Sequence, residues 1–317
     1  MQSDYGIRYL EISSRSMGLK NRVMNTIAKK QNVKSTIEYL AAARRLYSRA
    51  KCLRGLKLFL GVVLIASLAY LQLRFPQNEN VSYALVITSV VALIAEPVLD
   101  WRISAYKVKG AKMQQCFDND LFGFSWNESV CGKRPTEDKV FDYCKGKPVK
   151  KKLYDWYVGI EADLDEDLAI LLCQNQNGSY DRHLRERYTV LCLLCSIILI
   201  AGVIYSALKK DATLYTILVY GVVPSTPIIN WFISIFTSYY NDKEDLDHLD
   251  ETIYQEINRA EASQPIRKYV LERIQNLMFM HRKVAYLIPD MFYSMLRRNS
   301  ENRAAATVER ILARQKK

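Results

Sequence analysis

Four stretches of this 317-residue chain hold no Asp, Glu, Lys or Arg: Leu58 to Leu73, Asn80 to Ala95, Tyr188 to Leu208, and Ala212 to Asn241. Leu, Ile, Val, Ala, Phe and Tyr dominate each of them. An α-helix rises 1.5 Å per residue, so roughly 20 apolar residues cross a hydrocarbon layer about 30 Å thick. The last two runs reach that length. The first two reach it once Lys57 and Arg74 extend their aliphatic stems toward the headgroups. The first pair is joined only by Phe75-Pro76-Gln77-Asn78-Glu79, so the pattern predicts tight hairpins. Buried core helices of a soluble protein are the alternative, and four such runs arranged as two hairpins count against it. Bulk composition would hide this, because 25% of residues are charged and the mean hydropathy is close to zero. Segregation of the charges, not their number, sets the class.

The predicted fold is therefore an all-α integral membrane protein with four transmembrane helices in two hairpins, helical cytosolic extensions and a helical C-terminal tail. The expected division is a basic N-terminal region (1–54), a first hairpin (55–100, spans about 56–74 and 82–99) and a central region (101–187). A second hairpin (188–238, spans about 188–208 and 213–237) and a tail (239–317) complete it. Orientation follows from the lysines and arginines, which collect on cytosolic flanks. Arg44, Arg45, Arg49, Lys51, Arg54 and Lys57 precede the first span, and Arg102, Lys107, Lys109 and Lys112 follow the second. Arg182, Arg185 and Arg187 precede the third, whereas the other side holds only Arg74, Lys209 and Lys210. Both termini and the central region of this multi-pass chain are thus expected on the cytosolic side. Met1 to Lys34 is basic and has no apolar core of a cleaved signal, so the first span is expected to act as the anchor.

Local patterns refine this. Ser35-Thr36-Ile37-Glu38 has the form of a capping box, and behind it Tyr39, Ala43, Leu46, Ala50 and Leu53 recur at helical spacing. One amphipathic helix running into the first span is the expectation. After the second span the helix is expected to break near Asp118 to Asn127, to resume around Asp165 to Gln174, and to start again at Ser179. In the tail, Ile266, Val270, Ile274 and Leu277 form one face between Pro265 and Pro289.

Chemistry is sparse. No P-loop, G-x-S-x-G, H-E-x-x-H or G-x-G-x-x-G occurs, and His183, His248 and His281 are far apart in sequence. The chain is expected to be neither an enzyme nor a nucleic-acid binder, with no catalytic residue, metal or cofactor. Glu161 to Asp167 is acidic, but an EF-hand frame starting at Asp163 would put Leu168 where Gly is needed and Gln174 where Glu is needed. Acidic residues at a helix N-terminus explain the run. Cys192 and Cys195 form a C-x-x-C inside an apolar run and read as packing groups. Lys145, Lys147, Lys150, Lys151 and Lys152 face either phosphates or anionic headgroups. The net charge of +12 largely repeats the cytosolic bias.

The fourth run carries the most polar membrane sequence. Pro224, Ser225, Thr226, Pro227 and Asn230 place two prolines, two hydroxyls and an amide within it, freeing backbone carbonyls that need partners or water. These residues are pore-lining candidates, with a kinked packing helix as the alternative. Glu96, beside Pro97, joins them as a gate candidate, although its place one turn from Asp100 also suits the interface.

Three blocks bring a family into view. They are Gln31-Asn32 with Leu40 to Lys51 (LAAARRLYSRAK), Ala111 to Asp118 (AKMQQCFD) with Leu121 to Asn127 (LFGFSWN), and Asp155-Trp156-Tyr157 with Ala169 to Asn177 and Tyr180 to Tyr188. In order and membrane position they resemble the SMODS-associating four-transmembrane effectors. Departures from that pattern are Gln115, where an acidic residue is expected, a missing Arg or Lys near Asn175, and Tyr180 in place of Trp. The resemblance implies a pore-forming effector of bacterial anti-phage defence, triggered by a cyclic oligonucleotide from a partner nucleotidyltransferase. It would then permeabilise the membrane and stop the infected cell. Four spans are too few to enclose a wide pore alone, so a homo-oligomer in the lipid bilayer is expected. The motif residues Phe117, Asp118, Trp126, Asp155, Trp156, Cys173, Gln174, Asp181 and Arg185 are candidates for ligand contact or packing. Asp181 and Arg185, one helical turn apart, also suit a structural ion pair. A constitutive channel or transporter, and a membrane-anchored scaffold for a cytosolic partner, remain the other readings.

Overall fold

A computed structural model describes residues 25–75, 77–144, 150–208, 213–218 and 222–315. Among these residues every regular element is helical. Helix α1 (Ile27–Lys30) leads to α2 (Lys34–Leu58), which passes through a π-helical stretch at Phe59–Leu64 into α3 (Ile65–Arg74) without a break. Helix α4 (Glu79–Phe122) follows a turn whose Asn78 side chain caps it, accepting from the backbone N–H groups of Asn80 and Val81. It stops at Gly123, whose φ of 70° is the left-handed helix terminus that glycine adopts without a Cβ clash. Short helices α5 (Glu128–Cys131) and α6 (Glu137–Cys144) and a 3-10 turn at Lys151–Leu153 lead to α7 (Glu166–Leu208). Then come α8 (Leu214–Ile217), α9 (Val223–Glu261), α10 (Lys268–Val284) and α11 (Asp290–Gln315).

The main core is built from one end of these helices. Ile37, Leu40, Ala42 and Leu46 of α2, Met113, Phe117 and Leu121 of α4, Ala169 to Cys173 of α7, Ile253 and Ile257 of α9 and Leu271 and Ile274 of α10 are all buried in it. Of the stripe expected on α2, Tyr39, Ala43, Leu46 and Ala50 are buried. The packing of α2 on α4 is close enough that a Cβ on Gly110 would lie 3.1 Å from the Tyr47 ring. The other end of the same helices is inverted: Leu93 is 72% and Ile198 69% exposed, in rows of apolar neighbours that face outward. Two described helical stretches, Lys34–Gln72 and Glu79–Phe122, are long and apolar enough to cross a membrane, with almost none of their apolar windows buried in the protein.

Three sequence expectations change. No side chain caps α2, which begins at Lys34 after Val33, so Ser35 lies inside its first turn, Glu38 lies beyond that turn, and the two form no capping box. Helix α7 does not restart at Ser179 but runs unbroken through Gly178. A Cβ there would meet Asp250 Oδ1 at 3.2 Å and Leu249 at 3.6 Å, so this glycine admits α9 rather than ending a helix. Finally, Pro224 falls in the first turn of α9, where its missing N–H costs no internal hydrogen bond, and Pro227 lies inside the helix. Parts of the fourth run (212 and 219–221) and of the basic stretch (145–149) lie outside the described residues, as do Lys209 and Lys210.

Candidate functional site

The inward half of α4 ends in a carboxylate with no water around it. Asp118 is fully buried, and a bare carboxylate is tolerated there only with charged and hydrogen-bonded partners. It has three side-chain partners. Oδ1 accepts from Tyr157 Oη at 2.7 Å, and Oδ2 accepts from Gln275 Nε2 at 2.9 Å and Arg282 Nη1 at 2.6 Å, the last as an ion pair. Gln275 also donates to Gln115 at 3.0 Å, and Gln174 donates to the Leu271 carbonyl at 2.8 Å. Burial pushes the Tyr157 hydroxyl far above its usual range, and the Asp118 charge adds to it, so Tyr157 stays a neutral donor.

A second cluster forms where α7 meets α9 and α10. Arg185 donates through Nε to Asp181 at 2.8 Å and through Nη1 to Asp242 at 2.5 Å and to the Tyr286 carbonyl at 3.0 Å. His281 Nε2 lies 2.6 Å from Asp181 Oδ2. Burial raises the Asp181 carboxyl, but Arg185 and then His281 reverse this and hold it well below the usual carboxylate range. Arg182 joins α7 to α9 through Asp247 and Asp250, each at 2.8 Å. Lys51 and Ser48 of α2 hold Asp290 of α11 at 2.5 and 3.2 Å. Arg54 lies 3.4 Å over the Tyr286 ring, an electrostatically favourable stacking. Lys107 donates to the Val284 carbonyl at 2.5 Å, and burial with nearby Arg54 lowers its ammonium to about 8.

Between these clusters lies a cavity of about 240 Å³. Leu40, Ala43 and Tyr47 of α2 line one side, Gly178, Asp181 and Leu184 of α7 another, and Ala285 to Ile288 of the connection between α10 and α11, with Asp290, a third. Arg44, Lys51, Trp156, His281, Arg282 and Tyr293 also line it.

The structure gathers part of the predicted set here. Trp156, Asp181 and Arg185 line the cavity, and Asp118 stands behind Arg282. Phe117 is buried with its ring stacked on Tyr157, Gln174 reaches the network through α10, and Cys173 is buried in the core. Trp126 turns elsewhere, donating to the Gly132 carbonyl at 2.7 Å, and Asp155 accepts from Asn32 at 2.8 Å, a bond between segments 123 residues apart. The membrane candidates are remote. Pro224 begins α9 about 27 Å of helix away from Asp242 at 1.5 Å per residue. Ser225 is buried, Thr226 is exposed and donates to the Val222 carbonyl at 3.3 Å, Pro227 is half-buried and Asn230 is exposed. Glu96 pairs with Lys57 at 2.8 Å, beside Asp100.

Sequence reasoning missed the tail's share: Gln275, His281, Arg282, Tyr286 and Asp290. One signal was present. Leu271, Gln275, Met278 and Arg282 recur on one face of α10, and two polar residues in an otherwise apolar stripe mark buried polar chemistry.

Comparison with known proteins now bears on this arrangement. The SMODS-associating 4TM effector domain matches residues 25–311, which takes in both the outward apolar segments and the cavity. The chain belongs to that effector family. Among curated proteins, a probable CBASS effector molecule of Bacillus cereus (strain VD146) is 24% identical over 271 residues, covering 83% of this chain and 90% of its own. No solved structure matches. As a family member the chain is a membrane-associated defence effector, and the match reaches through the tail that supplies Arg282 and His281.

Proposed function

We propose that this SMODS-associating 4TM effector is a pore-forming protein of the bacterial inner membrane, activated by a cyclic oligonucleotide from a partner nucleotidyltransferase. The observation that carries the reading is the inversion within single helices. Helices α2 to α3, α4, α7 and α9 each join a segment in the polar-braced core to an apolar segment. In this reading all four apolar segments span the bilayer, with both termini and the central region cytosolic. Because the helices are continuous, displacement of their core ends moves the spans, as in other switches that shift packed helices. The polar start of α9, with Ser225, Thr226 and Asn230, lines the opening in a homo-oligomer, and the protein acts by permeabilising the membrane rather than by catalysis.

The test is reconstitution of the full chain into dye-loaded liposomes, with a panel of cyclic di- and trinucleotides, alongside membrane-potential recording in cells that co-express a cyclic-oligonucleotide synthase. Ligand-dependent leakage and depolarisation are expected. Leakage that survives substitution of Pro224, Ser225 and Asn230 would remove α9 as the lining, and ligand binding without any leakage would favour a scaffold.

A further inference from the structure

Resting on that reading, we propose that the cavity lined by Tyr47, Asp181 and Tyr286 is the receptor site for a phosphate-bearing nucleoside ligand, with a base inside and its phosphate held by Arg44 and Arg282. Size comes first. At about 240 Å³ the cavity is smaller than the roughly 300–1,000 Å³ of sites that enclose a whole drug-sized ligand. It suits one nucleoside unit of a larger ring, with the rest lying across the rim, where Asp290 is about half exposed.

Its lining then specifies the chemistry. Trp156, Tyr180 and Tyr293 offer ring faces, Tyr180 and Tyr293 with centroids 5.4 Å apart, and stacking on aromatic rings holds any base. Arg44 lines the cavity with no hydrogen bond or ion pair among the described residues, though its charge acts on Asp290. Arg282 uses Nη1 on Asp118, while its Nη2 is buried without a hydrogen-bond partner. The Nδ1 of His281, a residue 6% exposed, is likewise buried without one. Open guanidinium donors match phosphate oxygens in geometry and charge. The two carboxylates in the lining, Asp181 and Asp290, are already engaged by Arg185 and Lys51. A phosphate on Arg282 would share the cation that ties α10 to Asp118 of α4, so occupancy acts directly on a helix that continues into an apolar segment.

The experiment uses the full chain in nanodiscs of phosphatidylcholine and phosphatidylglycerol, with labelled cyclic di- and trinucleotides as probes. Arg44, at the half-exposed edge, is replaced as Arg44→Glu and Arg44→Lys, and an azido-base analogue is crosslinked to the unaltered protein. The glutamate variant is expected to weaken binding about ten-fold or more and the lysine variant by only about two- to four-fold, with labelled peptides containing Trp156, Tyr180 or Tyr293. Unchanged binding by Arg44→Glu, or labelling confined to other peptides, overturns the site while leaving ligand activation intact. If Arg44→Glu does not fold, the crosslinks decide alone. Should the unaltered chain bind no probe, ligand activation itself fails. Retention of phosphatidylglycerol that depends on Arg44, without nucleotide binding, would reassign the cavity to a lipid headgroup and overturn the proposal.

Discussion

Helix α4 is two proteins in one. From Glu79 to Trp101 none of its residues is buried, and its rows of Val, Leu and Ile face outward; from Ile103 to Phe122 it buries eleven residues, Asp118 among them. The same backbone thus serves two solvents. If the apolar half spans the bilayer as proposed, lipid replaces water there, so apolar side chains need no protein cover and helix–helix contact gains little from hydrophobicity. In the core half the protein must supply the partners that water would have given, and at Asp118 it does so with Tyr157 and with side chains from α10.

The sharpest way to break this contrast is to remove one member of the Asp118 cluster. Arg282→Ala leaves a fully buried carboxylate without its cation, and a loss of about 3–5 kcal/mol is expected from denaturant unfolding of the full chain in detergent. Asp118→Asn with Arg282→Leu should recover part of that loss, because the unpaired charge is gone. Next, Leu121→Ala in the core half should cost about 2–5 kcal/mol in the same assay, whereas Leu93→Ala should change it by less than about 0.5. Equal costs at the two positions would mean that the outward half packs against protein.

Acidification sharpens the comparison further, since its effect should come from the core half. The Asp181 carboxyl binds its proton less readily folded than unfolded, because Arg185 and His281 outweigh burial, and Lys51 and Ser48 likewise lower Asp290 against the effect of burial. Their contribution is therefore complete above the ordinary unfolded carboxylate value of about 4 and is lost as the pH falls through the lower folded values. Unfolding free energy should drop below about pH 4, and Asp181→Asn should flatten that slope. The smallest effect is expected at the junction: Lys57 with Glu96 and Asp100 is a part-exposed group, so Glu96→Gln should shift stability by less than about 1 kcal/mol.

Much of the fold was legible because its signals are local. Tyr39, Ala43, Leu46 and Ala50 recur at the helical period, and that recurrence alone predicts which face of α2 turns inward. The restart expected at Ser179 does not occur, and the glycine just before it, Gly178, instead gives room to Asp250 and Leu249 of α9, a contact that sequence spacing does not reveal. Ser35 misled because a capping box also needs that residue at the N-cap, and the N-cap falls two residues earlier, at Val33. At the site, Asp181 and Arg185 could be paired from their spacing, yet Arg185 spends a second donor on Asp242, 57 residues away.

The amino-acid order alone is enough for an all-helical chain with separated apolar runs and a defence-effector family resemblance, since helical period and charge segregation act over a few residues. Which charges form a site is a different matter. Asp118 and Arg282 are 164 residues apart, and each is the opposite charge that the other needs when buried. Desolvation makes each costly alone, so the pair exists only where the fold of α10 against α4 brings both out of water together.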